Sequence, residues 1–149
     1  MPKILIIEDE ETIRRVLKKV LHQEDKNYEI IEAVDGVDGV SKINSNKFDL
    51  ILCDIKMPKK DGIEVLRHVL KECPNTPTIM ISGHGDLETA VKSMRIGAFD
   101  YISKPPDLNR LLNTVRIALD SNKLVVENKR LKKIVHKKDN LFIQNLAYI

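Results

Sequence analysis

The stretch Leu50-Ile51-Leu52-Cys53-Asp54-Ile55-Lys56-Met57-Pro58 runs four apolar residues into a carboxylate and then, past a short apolar step, into a proline. An apolar run of this length between turn signals predicts a buried strand. The carboxylate at its tip lies where open α/β sheets place their ligands. Two other runs behave alike. Ile4-Leu5-Ile6-Ile7 ends in Glu8-Asp9-Glu10, and Thr78-Ile79-Met80-Ile81 ends in Ser82-Gly83. Further on, Tyr101-Ile102-Ser103 leads into Lys104-Pro105, a proline that can hold the chain in a fixed turn through a cis bond. Strand tips therefore offer carboxylates, a hydroxyl and an ammonium. Carboxylates suit a hard divalent cation, whereas Lys and a hydroxyl suit a phosphoryl group.

Outward from these strands, the chain alternates strand and helix five times. Ile13, Val16, Leu17, Val20 and Leu21 fall at i, i+3, i+4, i+7 and i+8, the buried face of an amphipathic helix. Residues 28–33 form a weaker strand nearer a sheet edge, followed by a short helix from Val37 to Ile43. Ile63, Leu66, Val69 and Leu70 mark a third helix. Leu87, Ala90, Val91 and Met94 mark a fourth, stopped by Gly97. The last helix starts near Asp107. Strand–helix alternation predicts an α/β fold, a doubly wound five-stranded parallel sheet with helices on both faces. Right-handed crossovers leave few topologies, and the order 2-1-3-4-5 centres the three most apolar strands. Its switch point falls between the first and third strands, so Glu8, Asp9 and Asp54 are expected to meet there.

The 149 residues suit one domain with an appended segment, and 42% apolar residues can fill a core. No stretch approaches the ~20 apolar residues that span a bilayer. Met1-Pro2-Lys3-Ile4 leads directly into a strand, so no signal peptide is expected. Cys53 and Cys73 have neither metal-ligand spacing nor a disulfide count, and a cytoplasmic setting follows. Residues 1–120 carry 18 Lys/Arg against 20 Asp/Glu, and residues 121–149 carry 7 against 2. The expected division is thus a near-neutral domain over 1–120 and a basic helical extension over 121–149. No Gly or Pro occurs beyond Asp107. Ile117, Leu124 and Leu131 recur every seven residues, with Thr114, Ser121, Asn128 and Val135 as companions. That seam predicts a parallel dimeric coiled coil. The competing reading is a lone helix packed on the sheet by its first half.

The acidic tips fit Mg²⁺, which takes carboxylates, waters and phosphate oxygens in octahedral array. Asp9 and Asp54 are candidate direct ligands, Glu8 a longer one acting through water, and the main-chain carbonyl of Lys56 a third protein ligand. For Glu8 to Glu11 alone, favourable charge at a helix start explains the cluster equally well. Asp54 escapes that explanation, since a loop and Pro58 follow it. A carboxylate can also accept a phosphoryl group. Lys104 and the Ser82 hydroxyl, with the Gly83 amide, would then neutralise its oxygens. The histidines show no metal spacing, and neither a nucleoside-triphosphate loop nor a nucleophile elbow occurs.

Glu8-Asp9, Asp54 with Met57-Pro58 and Asp61-Gly62, Ser82 and Lys104-Pro105 together resemble the receiver domain of bacterial two-component response regulators. This is the CheY-like family, itself a standard example of the 2-1-3-4-5 order. The resemblance implies that Asp54 accepts a phosphoryl group from a sensor histidine kinase, with Mg²⁺ at Glu8, Asp9, Asp54 and the Lys56 carbonyl. It implies that Ser82 and Tyr101 are a switch pair and that the fourth helix, fifth strand and last helix form the output surface. Such a receiver is a signalling switch, not an enzyme acting on other substrates. The stretches Ser82–Val91 and Gly97–Tyr101 are similar to receivers of NtrC-like (sigma-54-dependent) activators, and residues 127–131 to their dimerising linker. Transcription regulation through an ATPase or DNA-binding partner is the implied output. No such domain follows here, so the chain is either a fragment or acts through partners. Glu8 and Ser82 stand where Asp and Thr are commoner, and Pro106 where an apolar residue is usual.

Three other classes compete. An aspartyl-phosphate phosphatase would want a carboxylate two residues after the nucleophile, where this chain has Lys56. A nucleic-acid-binding dimeric scaffold would use the basic extension, with salt-sensitive affinity. A flavin-binding sheet would need a phosphate-cradling loop after the first strand, which is missing.

Overall fold

The computed structural model describes residues 1–83 and 87–121. The element order is β1 (Lys3–Ile7), α1 (Glu11–Glu24), β2 (Glu29–Ala33), α2 (Gly36–Ser45), β3 (Leu50–Asp54), α3 (Gly62–Glu72), β4 (Thr78–Ser82), α4 (Leu87–Ile96) and β5 (Asp100–Ser103). Residues 108–121 are helical and form the described part of α5. All strand pairs are parallel, in the order β2-β1-β3-β4-β5. This is the doubly wound sheet that the apolar runs predict.

Each central strand is apolar on both sides because the sheet is covered on both sides. Successive side chains alternate between faces. Leu5, Ile7, Ile51, Cys53 and Met80 therefore join Val65, Leu66 and Val69 of α3 in one core. Ile4, Ile6, Leu50, Leu52, Ile79 and Ile81 join Leu17 and Leu21 of α1 and Leu111, Val115 and Ala118 of α5 in the other. The carboxyl ends of all five strands emerge at one edge of this sandwich.

Helix ends follow local chemistry. Asp35 and Asp61 cap α2 and α3, accepting from the Asp38 and Glu64 amides at 2.7 and 2.9 Å. Gly97, at φ 136°, ends α4. Asp107 accepts from the Asn109 and Arg110 amides and starts α5. Helix α2 extends a residue or two beyond the Val37–Ile43 expected, since the Asp35 cap admits Gly36 to its first turn.

One expectation changes, and two helices show faces that the spacing leaves open. Val16 is half exposed although the spacing puts it on the buried face of α1, because the contact stripe narrows to Leu17, Val20 and Leu21. On α4 only Ala90 and Ser93 are buried, whereas Leu87, Val91 and Met94 face outward. On α5, Thr114 is buried with its hydroxyl donating to the Arg110 carbonyl, whereas Ile117 is 52% exposed. The remaining seam positions, Leu124, Asn128, Leu131 and Val135, and the basic extension lie outside the described residues, as does His84.

Candidate functional site

Four strand tips converge. Glu8 follows β1 and stays in register, its amide donating to the Ala33 carbonyl at 3.1 Å. Its own carbonyl accepts from Arg14 Nη1 at 2.7 Å, which fixes the turn into α1. Asp54 ends β3, and the Ile55 amide donates to the Ile81 carbonyl of β4. Ser82 ends β4, and its carbonyl accepts from the Lys104 amide at 2.6 Å. Lys104 is thereby delivered to the centre of the edge, and the Lys104–Pro105 bond is cis.

The Lys104 ammonium stands between two buried carboxylates, 3.0 Å from Asp54 Oδ2 and 3.1 Å from Glu8 Oε2. Glu8 is fully buried and Asp54 nearly so. Burial lifts the Glu8 carboxyl and the Asp54 charge lifts it further, from 4.5 to about 7, while Lys104 pulls the other way. For Lys104, burial works to lower the ammonium. The hydrogen bond and charge of Asp54, with those of Glu8, outweigh it and hold the group above its ordinary value. Two acids and one base leave the edge short of positive charge. Asp9 adds a further exposed carboxylate.

Glu8, Asp9 and Glu10 each offer a carboxylate oxygen within 4.8 Å of the others. Lys104 donates to Glu8 Oε1 at 3.3 Å, whereas Glu8 Oε2, buried and 3.1 Å from the same ammonium, takes no hydrogen bond. Clustered hard oxygens with one unsatisfied buried acceptor fit a divalent cation such as Mg²⁺. Glu10 at the cap position makes no side-chain capping bond, so hydrogen-bonded capping does not fix this cluster, whereas the favourable charge at the start of α1 remains. Glu10 is in this group, although the sequence argument leaves it to the helix dipole. Asp54 is instead turned toward Lys104. Glu8, expected to reach the site through water, sits directly on Lys104. Lys56 is exposed in the loop two residues beyond Asp54.

Ser82 is buried at the β4 tip. Tyr101 on β5 is in register with Met80, two residues earlier on β4. Ser82 and Tyr101 therefore share the sheet face covered by α3 and α4. The Tyr101 carbonyl accepts from Arg110 Nη2 at 2.7 Å, and that guanidinium lies 6.0 Å from the ring. Beside Lys104, a cavity of about 300 Å³ is lined by Ile13, Leu17, Ile81, Pro105 and Pro106. A wider groove of about 760 Å³, lined by residues such as Phe48, Asp49 and Thr76, lies at the opposite ends of the strands and touches none of the site residues. Neither Arg14 nor the turn at Asp35 carries a spacing signal that would reveal it in sequence.

Comparison with known proteins gives one consistent answer. The response regulator receiver domain family matches residues 4–116. The response regulator ArlR of Staphylococcus saprophyticus is 39% identical over 119 residues, covering 80% of this chain and 53% of its own. The nitrogen assimilation regulatory protein NtrX of Azorhizobium caulinodans is 36% identical over 133 residues, covering 88% of this chain and 29% of its own. A receiver domain structure from Clostridium thermocellum superposes with a TM-score of 0.76 at 35% identity, covering 84% of this chain and 99% of that one. The chain spans from about a quarter to just over half the length of the curated relatives it matches.

Proposed function

The chain belongs to the response regulator receiver domain family, and on that footing we propose that it is a phosphorylation switch of a two-component system, with Asp54 as the phosphoacceptor and a sensor histidine kinase as the donor. The observation that carries this reading is the Lys104 ammonium held between Asp54 and Glu8 by strands that arrive from opposite parts of the chain.

In the proposed step an Asp54 carboxylate oxygen attacks phosphorus. The new P–O bond forms as the donor's P–N bond breaks, and the donor imidazole leaves with the electron pair. Lys104, already at the Asp54 carboxylate, neutralises one phosphoryl oxygen, and the Ser82 hydroxyl with the Gly83 amide receives another. The residues proposed to hold Mg²⁺ are Glu8, Asp9, Asp54 and the Lys56 carbonyl, with Glu10 adjoining them. When bound, the ion offsets the charge of the carboxylates and of the incoming phosphoryl group. Ser82 and Tyr101, on one face of neighbouring strands, are the proposed switch pair. The proposed output surface is the α4–β5–α5 face, where Leu87, Val91 and Met94 lie exposed.

On this reading residues 1–120 are the receiver and 121–149 a helical linker that joins two copies. The chain works in the cytoplasm, and a downstream ATPase or DNA-binding partner converts its state into transcription control. The phosphatase alternative is disfavoured by Lys56 at the position where that class needs an acid.

Intact mass after incubation with acetyl phosphate and Mg²⁺ tests the proposal. One phosphoryl adduct is expected, lost in Asp54→Ala and without Mg²⁺. A folded wild-type chain that takes no adduct would overturn it.

A further inference from the structure

The loop after Asp54 closes through a strained turn. The Lys60 amide donates to the Pro58 carbonyl at 2.9 Å, and the intervening Lys59 has φ 70°. An i to i+2 hydrogen bond around a positive φ is the pattern of a γ-turn, which is rare and strained for a residue with a side chain. Something outside the loop must over-determine such a turn.

The beginning of α2 meets that need. A Cβ on Gly36 would lie 2.0 Å from the Lys60 carbonyl oxygen and 2.8 Å from Lys60 Cβ, so the turn rests directly on bare backbone. Asp35 is buried and holds both elements. Its Oδ1 caps α2 through the Asp38 amide, and its Oδ2 faces Lys59 Nζ at 3.4 Å. At the other end, a Cβ on Gly62 would lie 2.2 Å from the Asp54 carbonyl oxygen, and the Gly62 amide donates to Ile55 at 2.7 Å. Seven residues, 55–61, are thus fixed at both ends, and the Lys56 carbonyl lies between the fixed points.

We infer that Asp35 and Gly36, some 20 residues before Asp54 in sequence, are positioning residues for the cation site: they seat the Pro58-Lys59-Lys60 turn and so hold the Lys56 carbonyl in place relative to Asp54. This rests on the reading of the Lys56 carbonyl as a cation ligand given above. Gly36 contributes most, because the backbone contact leaves no room to adjust. Asp35 contributes less, because the Lys59 side chain is largely exposed and exposed ion pairs are weak.

Mg²⁺ binding by isothermal calorimetry decides it, on the full chain and on Gly36→Ala and Asp35→Asn, each first checked for native circular dichroism. Asn keeps the helix cap and removes only the charge. Gly36→Ala is expected to weaken Mg²⁺ binding about 10-fold, the lower end of what supporting groups around a metal contribute. Asp35→Asn is expected to weaken it about 2-fold, and Lys59→Gly, which relaxes the turn, should abolish that Asp35→Asn effect. Phosphorylation by acetyl phosphate should need correspondingly more Mg²⁺ for half its maximal rate, with the maximum unchanged. A purely structural role would lower the amplitude and leave the half-saturating Mg²⁺ in place. Wild-type affinity in folded Gly36→Ala and Asp35→Asn overturns the inference while leaving the phosphorylation switch intact. Mg²⁺ binding without any phosphoryl adduct overturns the switch, and the affinities still decide the positioning role. A wild-type chain that binds no Mg²⁺ overturns both.

Discussion

Glu8 shows how far burial can change one carboxyl. Its pKa of about 7 lies above the ordinary 4.5, first because it is desolvated and then because Asp54 is near. The folded state therefore binds more protons than the unfolded state between those two values. Stability accordingly falls as pH rises through that window and is level above it. Without metal, the melting temperature should drop between pH 4.5 and 7, and Glu8→Gln should flatten the profile. Thermal scans in EDTA measure this, and an identical slope in the variant would refute the assignment. Lys104 makes the complementary case. Replacing it with Met removes the ammonium held between Glu8 and Asp54, and the phosphorylation rate should fall about 100-fold, the scale of losing one preorganised charge-stabilising group. The presence of Glu8, Asp54, Ser82 and Lys104 at strand tips was legible in the sequence, since each follows an apolar run. That Glu8 binds Lys104 directly was not. It depends on how β1 and β5 approach across the sheet, which spacing along the chain does not encode.

At the scale of elements, the sequence signal was strong where a residue is buried on both sides and weaker on helices. β1, β3 and β4 are almost uniformly apolar because helices cover both faces, so their runs mark them directly. On α1 and α4 the apolar spacing is correct for a helix but does not say how wide the contact is. Val16, Leu87, Val91 and Met94 keep the period yet face outward. The two kinds of apolar position should respond differently to mutation. Leu66→Ala in α3, fully buried among β-strand side chains, should cost about 2–5 kcal/mol. Val91→Asp on α4 should stay within about 0.5 kcal/mol of wild type. Urea unfolding of both variants checks the pair, and a large loss at Val91 would mean that this stripe is covered in solution.

For the whole molecule, the question is how the sheet edge proposed to take a phosphoryl group is connected to a helix leading away from it. α5 packs Leu111, Val115 and Ala118 into the core it shares with α1, and Arg116 grips Glu24 of α1 through both guanidinium-side contacts, one at 2.7 Å. Its first half thus belongs to the domain, as the reading of a lone helix packed on the sheet requires. Yet Thr114 and Ile117 occupy successive seam positions and have opposite fates, one buried and one half exposed. The heptad pattern could not foresee this, because the same helix must satisfy the sheet at Thr114 before it can offer a seam at Ile117. If the proposed dimer forms through the last helix, Ile117 is the point where the seam leaves the body. Ile117→Lys would place like charges opposite each other across a parallel pair and should convert a dimer to a monomer. It should leave the melting transition of the domain and the rate of phosphorylation unchanged, because Ile117 touches neither core cluster nor the strand tips. Sedimentation velocity of both chains settles it: a monomeric wild type removes the dimer, and a dimeric variant moves the contact to another face.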